Sequence, residues 1–144
     1  MIWKVIIGST LLLVTGCSSD TQIPESVLVK ARMSFEDGIL SVRQKEYEAA
    51  IPLLTDALNN GALINTEIID TFLARAKAYI FTQQLNLALD DINSALRGVE
   101  DTSQIAKLYA MRSLYYKKSS DLPKSDAEFQ LAQSIDPNVQ PVTQ

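Results

Sequence analysis

One side chain, the thiol of Cys17, has a type and a position that point to covalent chemistry. The chain has 144 residues with one cysteine and no histidine. Composition therefore excludes an internal disulfide, a histidine-dependent catalytic pair and a histidine-ligated metal site. Cys17 follows an apolar run, Val5–Val14, which one basic residue, Lys4, precedes. A run of about ten residues is too short to cross a bilayer as a helix, which needs roughly 20, and is typical of a signal-peptide core.

The residues that lead up to the cysteine read Leu13-Val14-Thr15-Gly16-Cys17. This segment resembles the lipobox of bacterial lipoproteins, in which an aliphatic residue, a small residue and glycine or alanine precede the cysteine. The resemblance implies that residues 1–16 are a signal peptide and that Cys17 becomes the lipid-modified first residue of the mature chain, with no cofactor besides this lipid. An ordinary secretory peptide with a chance cysteine is the alternative.

The residues after Cys17 bear on location. In lipoproteins of double-membraned bacteria, an aspartate in the place of Ser18 tends to retain the protein in the inner membrane. Ser18 therefore implies a lipid anchor in the cell envelope, at the periplasmic face of the outer membrane. Residues 17–24 are the expected tether, and the mostly polar stretch Ser19–Pro24 spans roughly 20 Å at about 3.5 Å per residue.

Two carboxylate pairs, Asp90-Asp91 and Glu100-Asp101, are the remaining candidates for acid–base chemistry. Adjacent residues on a helix point in different directions, so we expect the first pair on a solvated face and the second at a turn with a helix N-cap. The net charge of −4 disfavours nucleic acid as a partner. We therefore expect no enzyme, no metal site and no small-molecule substrate.

The sequence after the tether repeats one pattern three times. A small residue on a predicted first helix is followed, twelve positions later, by a small residue on a predicted second helix. These pairs are Gly38 with Ala50, Ala76 with Ala88, and Ser113 with Ser125. Because antiparallel helices approach closely only where side chains are small, the pattern predicts three helical hairpins. The predicted helices cover residues 25–43, 47–59, 66–81, 85–97, 103–118 and 122–135.

Successive second-helix members, Ala50, Ala88 and Ser125, are 38 and 37 residues apart. A helical repeat of about this length resembles the tetratricopeptide repeat (TPR) family, whose unit is 34 residues. The resemblance implies an all-α fold, a right-handed α-solenoid of three TPR-like helical hairpins with six helices. It would cover residues 25–137, with a flexible tail at 138–144.

The first and last hairpins depart from the family pattern. Ser34 and Ser41 stand where aromatic residues are usual, so Phe35 and Leu40 are expected to carry the core of the first hairpin. In the last hairpin, Asp126 stands where an aliphatic residue is usual, as does Gln133. Polar residues there fit a final helix that no further unit covers.

In stacked hairpins of this family, the first helices line a concave groove. The resemblance implies a groove with an apolar strip and a basic rim, which would accept an extended or helical segment with apolar anchors and acidic groups. The predicted partner-binding residues are Arg32, Arg43, Leu73, Lys77, Ile80, Phe81, Lys107, Met111, Leu114, Lys117 and Lys118, accompanied by Phe35, Glu36, Ile39, Val42, Asp70, Ala74 and Ala110. Six of these are basic and two acidic. Ordinary solvated lysines on a surface that binds nothing in particular are the alternative.

The two resemblances together imply a membrane-tethered protein–protein interaction adaptor, or scaffold, that recruits another protein or peptide of the cell envelope through the groove. The alternative is a fixed structural or pilotin-like assembly subunit of a pilus, secretion or outer-membrane complex. Stoichiometry separates the two. An adaptor is found partly free, whereas a fixed subunit co-purifies wholly with one complex.

Overall fold

The computed structural model describes residues 23–144, which are all-helical and contain no strand. The six helices are α1 (Glu25–Arg43), α2 (Tyr47–Asn59), α3 (Asn65–Phe81), α4 (Leu85–Gly98), α5 (Thr102–Lys118) and α6 (Leu122–Ile135). Their bounds agree with the predicted helices to within one residue. The predicted signal peptide at 1–16, Cys17 and the tether as far as residue 22 lie outside the described residues.

Neighbouring helices pack as the pairs α1–α2, α3–α4 and α5–α6. All six small residues predicted at the crossings are buried. In the third pair, the hydroxyl oxygens of Ser113 and Ser125 are 3.1 Å apart. In the first pair, a methyl group added at Gly38 would come within 2.6 Å of Cδ2 of Leu54. The backbones of each pair therefore approach as closely as the small side chains allow.

The turn inside each pair has the same backbone geometry. Its central residue is in the left-handed region, with φ of 65° at Lys45, 62° at Gln83 and 66° at Ser120. The amide of the next residue donates to the carbonyl five positions earlier, closing the helix end as a Schellman motif. These hydrogen bonds run from Glu46 to Ser41 (2.8 Å), from Gln84 to Tyr79 (2.8 Å) and from Asp121 to Tyr116 (2.9 Å). The turn thus recurs with the same 38- and 37-residue period as the small residues.

Arg75 links the first two helix pairs through a buried ion pair within the second and a hydrogen bond to the first. Arg75 on α3 donates from Nε and Nη2 to the two carboxylate oxygens of Asp91 on α4, both at 2.8 Å, and from Nη1 to Thr55 Oγ1 on α2 at 2.8 Å. Burial raises the pKa of the Asp91 carboxyl, and the Arg75 guanidinium partly offsets this effect. The expectation that Asp90-Asp91 lies on a solvated face is therefore wrong for Asp91, because its side chain is only 7% exposed.

The other expected carboxylate pair behaves as predicted. Asp101 precedes α5, and its Oδ1 accepts a hydrogen bond from the Gln104 amide at 2.8 Å, so that it is the N-cap of that helix.

A second ion pair lies 37 residues after the first, between Arg112 Nη2 and Glu128 Oε2 at 3.0 Å. The second and third pairs thus share this bridge at equivalent repeat positions, while in the first pair Lys30 Nζ on α1 lies 3.5 Å from Asp56 Oδ2 on α2.

The first helix turns a different face inward than the sequence indicates. Its buried face includes Ser34 and Ser41, and Ser34 Oγ donates to Asp56 Oδ2 at 2.9 Å. Leu40, which was expected in the core, is 50% exposed, and Met33 is 58% exposed. Two repeat lengths along the chain, the counterpart of Met33 is Leu108, which is fully buried in a cluster with Ala95 of α4. Within residues 23–144 no helix precedes α1, so this face stays uncovered.

The tight crossing at Gly38 can be tested by adding a side chain there. Gly38→Val forces branched carbons into Leu54, which is fully buried and cannot move into solvent. Overpacking of this kind lowers the free energy of unfolding by about 1–3 kcal/mol. Gly98→Val is the matched control, because a Cβ there meets no atom within 4 Å. Equal urea-unfolding midpoints for the two variants would contradict the crossing.

Removing Arg75 tests the buried ion pair. Arg75→Met leaves the Asp91 carboxylate buried without its partner, which lowers the free energy of unfolding by about 3–5 kcal/mol at pH 7. The folded-state pKa of Asp91 then rises further above its unfolded value of about 4. Stability is consequently retained below about pH 4 and lost as the pH rises through the folded-state pKa.

Urea titrations at pH 4 and pH 7 measure this dependence. The double variant Arg75→Met/Asp91→Leu is the control, because replacing both members of a buried pair by apolar residues can be close to neutral. A single variant as stable as the wild type at pH 7, or one destabilised equally at both pH values, would show that the pair does not matter as described.

Candidate functional site

The first helices of the three pairs line one open groove. It has a volume of about 870 Å³. Helix α3 contacts both α1 and α5, and is the centre of the groove wall. Its apolar floor is formed by residues of these three helices, namely Phe35, Ile39, Leu40, Val42, Leu73, Ala74, Ala110 and Met111. The spacing of these residues along each helix puts them on one stripe, so a chain segment laid in the groove would meet apolar surface along its length.

The charged residues of the groove are evenly divided between the two signs. Three basic residues, Arg43, Lys77 and Lys107, line it together with three acidic ones, Glu36, Asp70 and Asp136. The predicted set of six basic and two acidic residues overstated the positive charge, because half of its basic members lie elsewhere. The groove is therefore an apolar strip with mixed charge, rather than one with a basic rim.

The surroundings of Lys77, which lines the groove, disfavour the charged form of its ammonium group. Partial burial lowers the pKa of Lys77, and the neighbouring Lys45 ammonium lowers it further. Among the described ion pairs, none involves Arg43, Lys77 or Lys107. An acidic group of a partner that entered the groove would relieve the repulsion between the two lysines.

Five of the eleven predicted partner-binding residues line the groove: Arg43, Leu73, Lys77, Lys107 and Met111. Two others belong to the core. Ile80 has no exposed surface and Leu114 is 7% exposed, and both pack in a cluster with Ala76 and Ala88. Neither residue lines the groove, whereas Met111 of the same cluster does, so both leave the candidate set. Their helical positions lie next to the groove stripe, on the side that faces the second helices.

The other four predicted residues lie outside the groove lining. Arg32 pairs with Glu67 across α1 and α3 at 2.9 Å, and Lys117 is exposed on α5. Phe81 stacks on Tyr47 with ring centroids 4.9 Å apart. The Phe81 ring also has Lys118 Nζ at 5.0 Å and Lys77 Nζ at 6.0 Å from its centroid. Both cations are close enough to the ring for a cation–π interaction, and Lys118, in the last turn of α5, also complements the dipole of that helix.

The C-terminal tail also contributes to the groove, which the sequence did not indicate. After α6, Asp136 Oδ1 accepts a hydrogen bond from the Asn138 amide at 2.9 Å, and the Val139 amide donates to the Asp136 carbonyl at 3.0 Å. This turn brings Val139 into a cluster with Ala110, where it is only 8% exposed. Val142 packs against the same cluster and against the one that contains Met111. Residues 138–142 therefore lie on the helices, whereas a flexible tail was expected.

Comparisons of the chain with protein-family models, with curated proteins and with solved structures find no match. Across residues 23–144, no group of three or more acidic or cysteine side chains is placed so as to hold a metal ion. In the same part of the chain, every helix is too short or too polar to cross a membrane. The groove is the candidate site that the described geometry offers.

Proposed function

We propose that this protein is a membrane-tethered adaptor that holds a segment of another envelope protein in the groove between α1, α3 and α5. One observation carries the proposal: each first helix turns the same apolar stripe toward a single open groove. Apolar grooves of this kind bind chain segments through side-chain anchors, while charged groups at the edge fix register and exclude wrong partners.

The proposed architecture is a right-handed α-solenoid of three TPR-like hairpins. Three repeated features support it: the small residues at each helix crossing, the left-handed turn residue inside each pair, and the spacing of 38 and 37 residues that both share. In such arrays each unit contacts its neighbours and the first helices form a continuous concave surface. A groove that draws on α1, α3 and α5 together fits this arrangement.

The proposed location is the periplasmic face of the outer membrane, with a lipid on Cys17 as the anchor. The support is the lipobox-like segment Leu13–Cys17 and the short stretch of chain between Cys17 and the start of α1 at Glu25. Eight residues span at most about 28 Å, so the groove would lie close to the membrane surface. The partner would then be an envelope protein within reach of that surface. The role assigned to the groove is binding, and no catalytic step is proposed for it.

Affinity capture from the native envelope tests the adaptor role. Lys77→Glu/Lys107→Glu reverses two cations that line the groove, and should lower the recovery of the partner at least fivefold because acidic groups of the partner are then repelled. Arg97→Glu/Lys117→Glu is the matched control, since it makes the same change in charge at exposed positions outside the groove lining.

Both variants are first checked for wild-type helix content by far-ultraviolet circular dichroism. The partner is the protein that the wild type recovers and a tag-only sample does not. Equal recovery by the groove variant and its control would remove the groove from the proposed function.

A further inference from the structure

The C-terminal segment is the one piece of non-helical chain that the structure places in the groove. Asp136, Asn138, Val139, Gln140 and Val142 all line it, opposite residues of α1 and α3. The segment has no regular secondary structure after the turn at Asp136–Val139. Pro141 also restricts Gln140 to extended conformations. One side of the groove is therefore formed by non-helical chain, supplied by the protein itself.

The slot beneath this segment is shaped for small apolar side chains. Val139 packs among Ala106, Ala110 and Ala132, each of which is at most 2% exposed. Alanines leave room for a β-branched side chain over the helix surface, whereas a larger residue in their place would fill the slot. Val142, three residues later, reaches the cluster that includes Met111. The spacing of the two valines thus matches two neighbouring contact points along α5.

We infer that the α5 side of the groove is a binding slot for an extended segment with two small apolar side chains three residues apart, and that residues 138–142 occupy it in cis. A partner segment of this chemistry binds only when it displaces them. The inference deepens the proposed function and rests on it for the existence of such a partner. The evidence for the slot is the packing of Val139 and Val142 against the helices.

Competition by the tail sets the size of the expected effect. A segment tethered in the same chain has an effective concentration in the millimolar range, far above that of a peptide added at micromolar concentration. The apparent affinity for an added segment equals the intrinsic affinity multiplied by the fraction of molecules whose slot is open. If the tail is docked in nine molecules of ten or more, releasing it raises the affinity for an added segment at least tenfold.

A peptide supplied in trans tests the inference without the natural partner. The probe is a fluorescein-labelled synthetic peptide with the sequence of residues 136–144, measured by anisotropy and by nuclear magnetic resonance up to about 3 mM, because contacts of this size give weak affinities. The full chain is compared with its Val139→Asp/Val142→Asp variant, in which charged side chains cannot stay in the alanine-lined slot. Val142→Asp alone is the second variant, since Val142 is less buried.

We expect the peptide to bind the double variant at least tenfold more tightly than the wild type, with the single variant between them. A control peptide that carries aspartate in place of both valines should bind none of the three proteins. Equal binding to wild type and variants, or no binding to either variant up to the highest concentration, would overturn the inference.

The peptide assay and the capture assay fail independently. Tight binding of the peptide to the opened slot, together with partner recovery that groove charges do not affect, would refute the adaptor role and leave the slot standing. Loss of partner recovery in the groove variant, together with absent peptide binding, would leave the adaptor role and make the tail a fixed wall of the groove.

Discussion

Paired helices approach as closely as they do in this fold only where the side chains at their crossing are small, alanine or serine in two of the pairs and glycine on α1 in the first. A single added methyl group at Gly38 would already overlap Leu54. The same constraint acts at Ala76 with Ala88 and at Ser113 with Ser125, all of which are buried. Because the small residues recur at the same repeat positions, each pair closes at the same place along its helices. Similar units can lie side by side, and this brings the three first helices to one groove.

The second consequence of close pairing is electrostatic. Helices that approach closely leave little room for water between them, so polar groups at the interface need partners within the protein. Arg75 meets this need for Asp91 and reaches Thr55 of the preceding pair as well. It therefore fixes both the crossing of α3 with α4 and the position of the first pair against the second. The groove depends on this second alignment, because α1 and α3 share its floor.

The helices and their crossings could be predicted because apolar periodicity and small residues are local signals. The identical turns could not, since Lys45, Gln83 and Ser120 share a backbone conformation but no side-chain chemistry. The groove was predicted in outline, yet Ile80 and Leu114 lie in the core, because neighbouring positions on a helix differ by about 100° and the sequence does not fix the rotation of the helix that closely. The docked tail has no periodicity at all. The Asp136-Pro137-Asn138 turn followed by two valines is the signal that could have indicated it.

The close crossing of paired helices can be measured with a cysteine pair placed at one crossing. Ser113→Cys/Ser125→Cys, made with Cys17 replaced by serine, puts two thiols where the hydroxyl oxygens are 3.1 Å apart. Mild oxidation followed by thiol counting and mass spectrometry reports whether they join. If the helices cross as described, one intramolecular disulfide forms per chain and the helix content does not change. Two free thiols after oxidation, or disulfides only between chains, would contradict it.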